Sequence, residues 1–186
     1  MTDELEQLKF PIGPFEPPAA VDAQQLADLI ATIETAPAKY RALTENLSSA
    51  DLKKTYRADA WNIQQLVSHV ADMQMLHLFR MKKALTEPDY KELTLVNIRG
   101  WAGTHDGIAS PVADSLAMLD VMTRRFVFLV RSLNPAQQEI TYYHPVRKIN
   151  LNQRQAIAMS AWHVKHHLEH IRIALRTTES KHRFLV

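Results

Sequence analysis

Histidine is concentrated in one short stretch near the carboxyl end of the chain. Four of the nine histidines lie within residues 162–172: His163, His166, His167 and His170. On a helix, residues four apart share a face, so His163 pairs with His167 and His166 pairs with His170. Two imidazoles at this spacing can bind one metal ion from a single helix face. The spacing alone does not choose between the two pairs.

The same helical stripe is apolar on either side of the histidines, with Ala156 and Met159 before them and Ile173 and Ala174 after them. Burying polar rings in such a stripe costs free energy unless partners satisfy them. A metal ion would supply those partners, and so would carboxylates with water. Both alternatives stay open on the residues alone.

A further histidine lies in the apolar stripe of an earlier helix, where His69 falls among Leu66, Met73 and Leu76. It is either a hydrogen-bonded core residue or a ligand from a facing helix. Helical bundles build metal sites from side chains on facing helices. Three imidazole nitrogens would leave at least one coordination position open, as in catalytic sites.

Other polar side chains near His69 have several interpretations. Asp72, one turn later, is a candidate fourth ligand, an outer partner of the site or a solvated carboxylate. Arg80, about two turns beyond Asp72, could bind an anionic substrate group or simply cover its helix. Three further histidines have no supporting pattern and are predicted to be surface or packing residues: His77, His105 and His182.

The composition excludes several other chemistries. The chain has no cysteine, so any metal must be held by histidine and carboxylate. A net charge of +2, with dispersed basic residues, does not favour nucleic acid as a partner. No Gly-x-Ser-x-Gly motif and no phosphate-binding glycine loop is present. Without a signal peptide or an apolar run of about 20 residues, a cytoplasmic protein with no membrane partner is expected.

Apolar residues spaced three and four apart predict four helices. They cover about residues 23–47, 62–85, 111–134 and 150–176, with predicted caps at Asp22, Asn62, Ser110 and Asn150. Pro37 is expected to kink or break the first helix. With no convincing strand pairs, the chain is predicted to be all-α, a four-helix bundle in a single domain, 1–186.

The connections carry their own predictions. Residues 1–21 contain four prolines and are predicted to form an extended arm that packs along the body. The connection 86–110 is long enough for a crossover along the bundle. Residues 135–150 are a candidate two-stranded excursion, and the last ten residues are expected to fray.

Several segments together resemble a known family. These are the arm from Lys9 to Pro18, Trp61 followed by residues 68–72 (Ser-His-Val-Ala-Asp), residues 143–145 (Tyr-His-Pro), and residues 161–171. In the same order, and across nearly the whole chain, they are similar to the YfiT branch of the DinB-like superfamily. The resemblance implies an up-down-down-up four-helix bundle.

The resemblance also implies one divalent metal ion held by His69, His163 and His167. Three imidazoles suit zinc, nickel, iron or copper, and of these zinc or nickel is expected. The resemblance leaves His166 and His170 as outer partners or packing residues. The implied enzyme is a metal-dependent hydrolase, or a thiol S-transferase that joins a low-molecular-weight thiol to a small-molecule substrate, and it is expected to form a homodimer. One departure is Gln74, where the family pattern often has histidine.

Two non-catalytic alternatives remain beside the enzyme. A metal-binding or sensor bundle would complete the coordination sphere with a protein side chain such as Asp72. An interaction bundle that has lost its chemistry would bind no metal.

Overall fold

The computed structural model describes residues 2–87 and 96–182, with side chains for 4–87 and 96–176. Within these ranges the helices are α1 (Thr2–Lys9), α2 (Ala23–Thr44), α3 (Ser49–Leu52), α4 (Ile63–Thr86), α5 (Ile98–Ala102), α6 (His105–Ala109), α7 (Val112–Arg131), α8 (Pro135–Gln138) and α9 (Gln153–His182). The strands are β1 (Thr141–His144) and β2 (Ile149–Asn152). The four longest helices, α2, α4, α7 and α9, form the bundle.

The direction of each helix follows from which of its ends contribute to the two ends of the core. One core cluster joins the end of α2, the starts of α4 and α7, and the second half of α9: Tyr40, Ile63, Leu116 and Ile171. The other joins the opposite ends of the same helices: Ile30, Met81, Val130 and Ile157. Helices α2 and α9 therefore run one way and α4 and α7 the other, which confirms the up-down-down-up bundle.

The long crossover follows from this topology. Because α4 and α7 are parallel and pack against each other, the chain must travel back along the bundle between them. The described part of this connection contains α5 and α6, both of which pack on α4.

Capping residues explain where the helices begin. Asp22 and Asn62 accept hydrogen bonds from the main-chain N–H groups of Gln25 and Gln65, at 2.8 and 2.9 Å, as predicted. The prediction that Asn150 caps the last helix is wrong. Residues 149–152 form β2, and the reciprocal cap is made two residues later, by Asn152 and Gln155.

The predicted cap at Ser110 is also wrong, because α7 begins at Val112 without a side-chain capping bond. The Ser110 carbonyl instead accepts a hydrogen bond from Gln64, at 2.9 Å. Helix α2 continues through Pro37, so the predicted break does not occur. Burial of Ile33, Ala36 and Tyr40 around the proline offsets the backbone hydrogen bond that it removes.

The amino-terminal arm differs in part from its prediction. Residues 2–9 form helix α1 rather than an extended segment, because the first proline is Pro11 and the preceding residues favour helix. After a turn at residues 11–12, the rest of the arm is extended and packs along α9. Phe15 is buried, and the indole Nε1 of Trp162 donates to the Gly13 carbonyl at 3.1 Å.

The predicted two-stranded excursion is confirmed as an antiparallel hairpin in which Thr141 pairs with Asn152. Helices α2 and α7 end at Thr44 and Arg131, three residues before the predicted ends at 47 and 134. Helix α9 continues to His182, past the predicted end at 176, and residues 183–186 lie outside the described ranges. Among the described residues, no helix combines the length and hydropathy needed to span a bilayer.

Candidate metal centre

The antiparallel packing of α4 and α9 brings three histidines to one point. His69 on α4 faces His163 and His167, which lie one turn apart on α9. The Nε2 atoms of His69 and His163 are 3.1 Å apart. One ring nitrogen from each of the three residues lies within 4.8 Å of the others. This arrangement can hold a single ion between the helices.

The geometry fits a small divalent ion. Nitrogens bound to zinc lie about 2.0–2.1 Å from it, so two of them in a tetrahedral site are roughly 3.3 Å apart. The contact between His69 and His163 is close to that spacing. Burial lowers the pKa of His69 to about 4 and holds the pKa values of His163 and His167 well below their ordinary range. All three rings are therefore neutral at neutral pH, the form that binds metal.

A chain of hydrogen bonds determines which nitrogen of His167 faces the site. His170 Nε2 lies 3.1 Å from the Leu8 carbonyl oxygen, which can only accept, so this nitrogen carries the proton. His170 Nδ1 is then an acceptor, and His167 Nδ1, 3.2 Å away, donates to it. His167 Nε2 is left with its lone pair for a metal ion. The amino-terminal arm thus takes part in orienting a candidate ligand.

The same contacts argue against the second histidine pair as the ligand set. His166, His167 and His170 also lie close enough together to share an ion. However, both nitrogens of His170 are engaged, by Leu8 and by His167, and its ring stacks on Tyr56 with centroids 3.8 Å apart. These contacts count against His170 as a ligand, which leaves His69, His163 and His167 as the candidate set.

His166 has a different environment from the other histidines of α9. Its ring stacks on Trp162, with centroids 4.4 Å apart, and its Nδ1 is buried without a hydrogen-bond partner in the described part of the chain. Burial lowers the pKa of His166 to about 3. The side chain lines the cavity beside the three histidines rather than bonding to them.

A cavity of about 770 Å³ opens onto the three histidines. Its described walls are mostly apolar: Trp61, Met73, Leu76, Val96, Ile98, Val146, Ile149, Met159 and Trp162. A space of this size suits a small organic molecule. One side of the candidate centre is therefore reachable from the cavity, while Trp61 packs against His69 with ring centroids 4.6 Å apart.

Sequence reasoning missed three polar residues of this cavity. His77 was predicted to be a surface or packing residue, but it lines the cavity, with its ring centroid 5.9 Å from that of His163. Burial lowers the pKa of His77 to about 3. His144 at the end of β1 and Arg147 in the hairpin turn complete the wall. His105 is exposed, as predicted, and the His182 side chain lies outside the described ones.

The remaining predicted residues divide between the cavity and its surroundings. Arg80 is buried in the cavity wall, with Nη1 3.5 Å from His144 Nε2. Asp72 is not among the cavity-lining residues, and its neighbouring charge is Asp106 of α6. A coordinating role for Asp72 therefore has no support in the geometry. Gln74 is buried at the helix interface, where its Oε1 accepts from Ser160 at 3.2 Å.

Comparison with known proteins places this chain in a family. Residues 32–171 match the DinB superfamily. The chain belongs to the DinB superfamily. A DinB relative from Halalkalibacterium halodurans is 36% identical over 171 residues, which cover 92% of this chain and 98% of the relative. YfiT of Bacillus subtilis is 30% identical over 164 residues, covering 88% and 92% of the two chains. Both are named as candidate metal-dependent hydrolases.

The DinB fold assignment is confirmed at the level of structure. The solved structure of Bacillus subtilis YfiT aligns with a TM-score of 0.87 and 29% sequence identity, covering 92% of this chain and 98% of that one. That protein is described as a candidate metal-dependent hydrolase with an unusual four-helix bundle topology. A metal-dependent DinB protein is thus supported by the relatives' names and by the histidine cluster together.

Proposed function

We propose that this protein is a metal-dependent enzyme acting on a small molecule, with one divalent ion held by His69, His163 and His167. The observation that carries the proposal is the convergence of three neutral imidazoles, from two helices, at the floor of an open cavity. A purely structural metal site is closed by four protein ligands, whereas catalytic sites keep a position for water or substrate. Zinc and nickel are the proposed ions, because imidazole suits both.

A bound divalent ion would supply Lewis acidity that activates water or a thiol at neutral pH. The protein itself orients the metal ligands and excludes water. The Leu8 carbonyl, through His170, holds the lone pair of His167 toward the site. Trp61, Met159 and the other apolar walls exclude bulk water from the reacting groups.

Hydrolysis and thiol transfer place different demands on the cavity. Hydrolysis of an amide needs a group that passes a proton to the departing amine. Among the described cavity-lining residues there is no aspartate or glutamate, and burial lowers the pKa of His77 to about 3, so this ring is not an acid at neutral pH. Thiol transfer needs only a thiolate nucleophile and an electrophilic carbon that carries a leaving group. Thiol transfer is therefore the second version of the proposed function, because it does not depend on such a proton donor.

Removal and restoration of the metal tests the proposal. We expect about one equivalent of metal per chain in untagged protein purified without chelator. Dialysis against a chelator should abolish turnover in a screen of small esters, amides and carbon electrophiles, with and without added thiols. Reloading with zinc or nickel should restore it. Turnover that survives complete metal removal would refute the proposal.

The same screen distinguishes hydrolysis from thiol transfer. A hydrolase releases product without thiol and gains nothing when thiol is added. A transferase consumes thiol and electrophile one for one and forms a thioether, which mass spectrometry detects. Metal without turnover under any condition would instead support a metal-binding bundle that is not an enzyme.

Replacing His170 with alanine should weaken metal binding about 10–100-fold, the usual cost of losing an outer partner of a metal ligand. The physical reason is that His167 Nδ1 would lose its acceptor, 3.2 Å away, and the ring would be free to rotate or change tautomer. Competition against a chromophoric chelator measures the affinity.

The matched control for this substitution is His166→Ala. It removes a neighbouring histidine of the same helix that makes no hydrogen bond to the three candidate ligands, so it should keep the affinity within about threefold. Equal affinity in wild type and His170→Ala would show that the hydrogen-bond chain does not orient His167.

A further inference from the structure

The charged residues that line the cavity are all of one sign in the described part of the chain. Arg80 and Arg147 contribute guanidinium groups, and the described lining contains no carboxylate. Described walls that carry arginines and no carboxylate favour an anionic ligand group.

Arg147 is placed to meet such a group. It lies in the turn of the β1–β2 hairpin, at the mouth of the cavity, and its side chain is exposed. Its guanidinium carbon is 5.0 Å from the centre of the Phe15 ring, which supports the side chain from the arm. It makes no ion pair with a carboxylate of the described residues.

The two arginines of the cavity differ in their exposure to solvent. Arg80 is more deeply buried and lies against His144, which makes it part of the wall. The guanidinium that an entering molecule meets is therefore that of Arg147.

We propose that the molecule occupying this cavity is a small carboxylate with an apolar body, whose carboxylate is bound by Arg147 at the mouth. The apolar body lies against Trp162, Met159 and Ile149, and the reacting group reaches the three histidines on the floor. Arginine binds carboxylates through two parallel N–H donors, which fixes orientation as well as distance. This proposal rests on the proposed function for the site, and it narrows the substrate class of that function.

Tryptophan fluorescence can test the proposal, because Trp61 and Trp162 both line the cavity. The probes are 4-phenylbutyrate and its neutral amide, titrated into zinc-loaded protein. We expect the carboxylate to bind about tenfold more tightly than the amide, the usual scale of one hydrogen-bonded charge. In Arg147→Gln this preference should fall to about twofold or less, with amide binding unchanged.

Lys148→Gln is the matched control. It removes the same charge from the adjacent residue of the same turn, but Lys148 does not line the cavity. The carboxylate preference should survive in this variant. Circular dichroism and zinc content of all three proteins establish that the fold and the metal site are unchanged.

Three results would overturn the proposal. The preference could persist in Arg147→Gln, which would place the carboxylate on the metal instead. The carboxylate preference could fall equally in Lys148→Gln, which would mean that the total positive charge of the turn, and not a bond to Arg147, causes it. Wild-type protein could bind neither probe, or bind both equally. In each case a normal zinc content leaves the proposed metal-dependent function standing, so the two failures can be told apart.

Discussion

Replacing His163 with alanine should abolish stoichiometric metal binding and any turnover that depends on metal. His163 Nε2 lies 3.1 Å from His69 Nε2, so its loss leaves two nitrogens where three converged. The affinity should fall by more than the roughly 100-fold that loss of an outer partner costs. Elemental analysis after gel filtration gives the metal content, and chelator competition gives the affinity.

His105→Ala provides the control for this experiment, because it removes an exposed histidine of α6 and should keep one equivalent of metal. His77→Ala adds a sharper comparison. His77 lines the same cavity with its ring centroid 5.9 Å from that of His163, and it should also retain metal. Full metal content in His163→Ala would refute the three-histidine site, and loss in His77→Ala would add a fourth ligand to it.

Should His163→Ala fail to fold, His163→Gln fills more of the space and answers the same question. Glutamine cannot replace imidazole as a strong ligand for zinc or nickel. Comparable unfolding midpoints of the metal-free wild type and variant would then separate lost coordination from lost structure.

The bundle was predictable because its signals are local and periodic. Apolar stripes at helical spacing identify four helices, and the connection between the second and third is long enough for a crossover along the bundle. The structure has both, with α4 and α7 parallel. Several of the errors lie at element ends, such as the cap at Asn152 rather than Asn150, where strand and helix compete for the same residues.

The choice between the two histidine pairs was not predictable from spacing. Both pairs lie four residues apart on one helix, so periodicity treats them alike. What distinguishes them is the Leu8 carbonyl, 162 residues away from His170 in the sequence. It accepts a hydrogen bond from His170, and His170 in turn accepts one from His167 Nδ1, which leaves the lone pair on His167 Nε2 for a metal ion. Only the resemblance to a family, or the folded arm itself, carries that information.

The polar residues of the cavity also differ in whether the sequence could predict them. His77 follows His69 by eight residues, about two helical turns, so its place on the same face could have been read from the sequence. His144 and Arg147 could not, because a hairpin between two helices has no periodic relation to the bundle. Their approach to the histidines depends on how the β1–β2 hairpin packs against α9.

Acidification is expected to unfold the metal-free protein progressively as the pH falls from about 6.5 toward 4. In the unfolded chain, histidines bind protons with a pKa near 6.5. In the folded chain, burial lowers the pKa of His69 to about 4. Between these values the unfolded state holds more protons, so the free energy of unfolding decreases as the pH decreases. His69 alone would contribute about 3 kcal/mol across this window.

Neighbouring histidines act in the same direction. Burial also lowers the pKa values of His163 and His167, so the slope of stability against pH should exceed that of one group. Urea unfolding at a series of pH values measures it. A stability that is flat between pH 6.5 and 4.5 would contradict the neutral, buried state of these rings.

Asp72 opposes the loss of stability on acidification, so its removal tests the same explanation. Desolvation, with the charge of Asp106, raises the pKa of Asp72 to about 6. Its folded form therefore holds more protons than its unfolded form just below that pH, which favours folding as the pH falls. Because Asp72 is only half-buried, solvent screening makes this offset small. Removing the offset in Asp72→Asn should make the acid dependence steeper, whereas His69→Ala should make it shallower.

Acid release of metal distinguishes a preorganised site from a set of independent histidines. Free imidazoles lose metal as they protonate near pH 6.5. In the folded protein the rings stay neutral to about pH 4, by the pKa of His69, so metal should stay bound while the bundle stays folded. Metal loss and loss of helical signal should then coincide on acidification, followed by a zinc indicator and circular dichroism. Metal loss a full pH unit before unfolding would mean that the histidines titrate as if exposed, and the preorganised centre would be wrong.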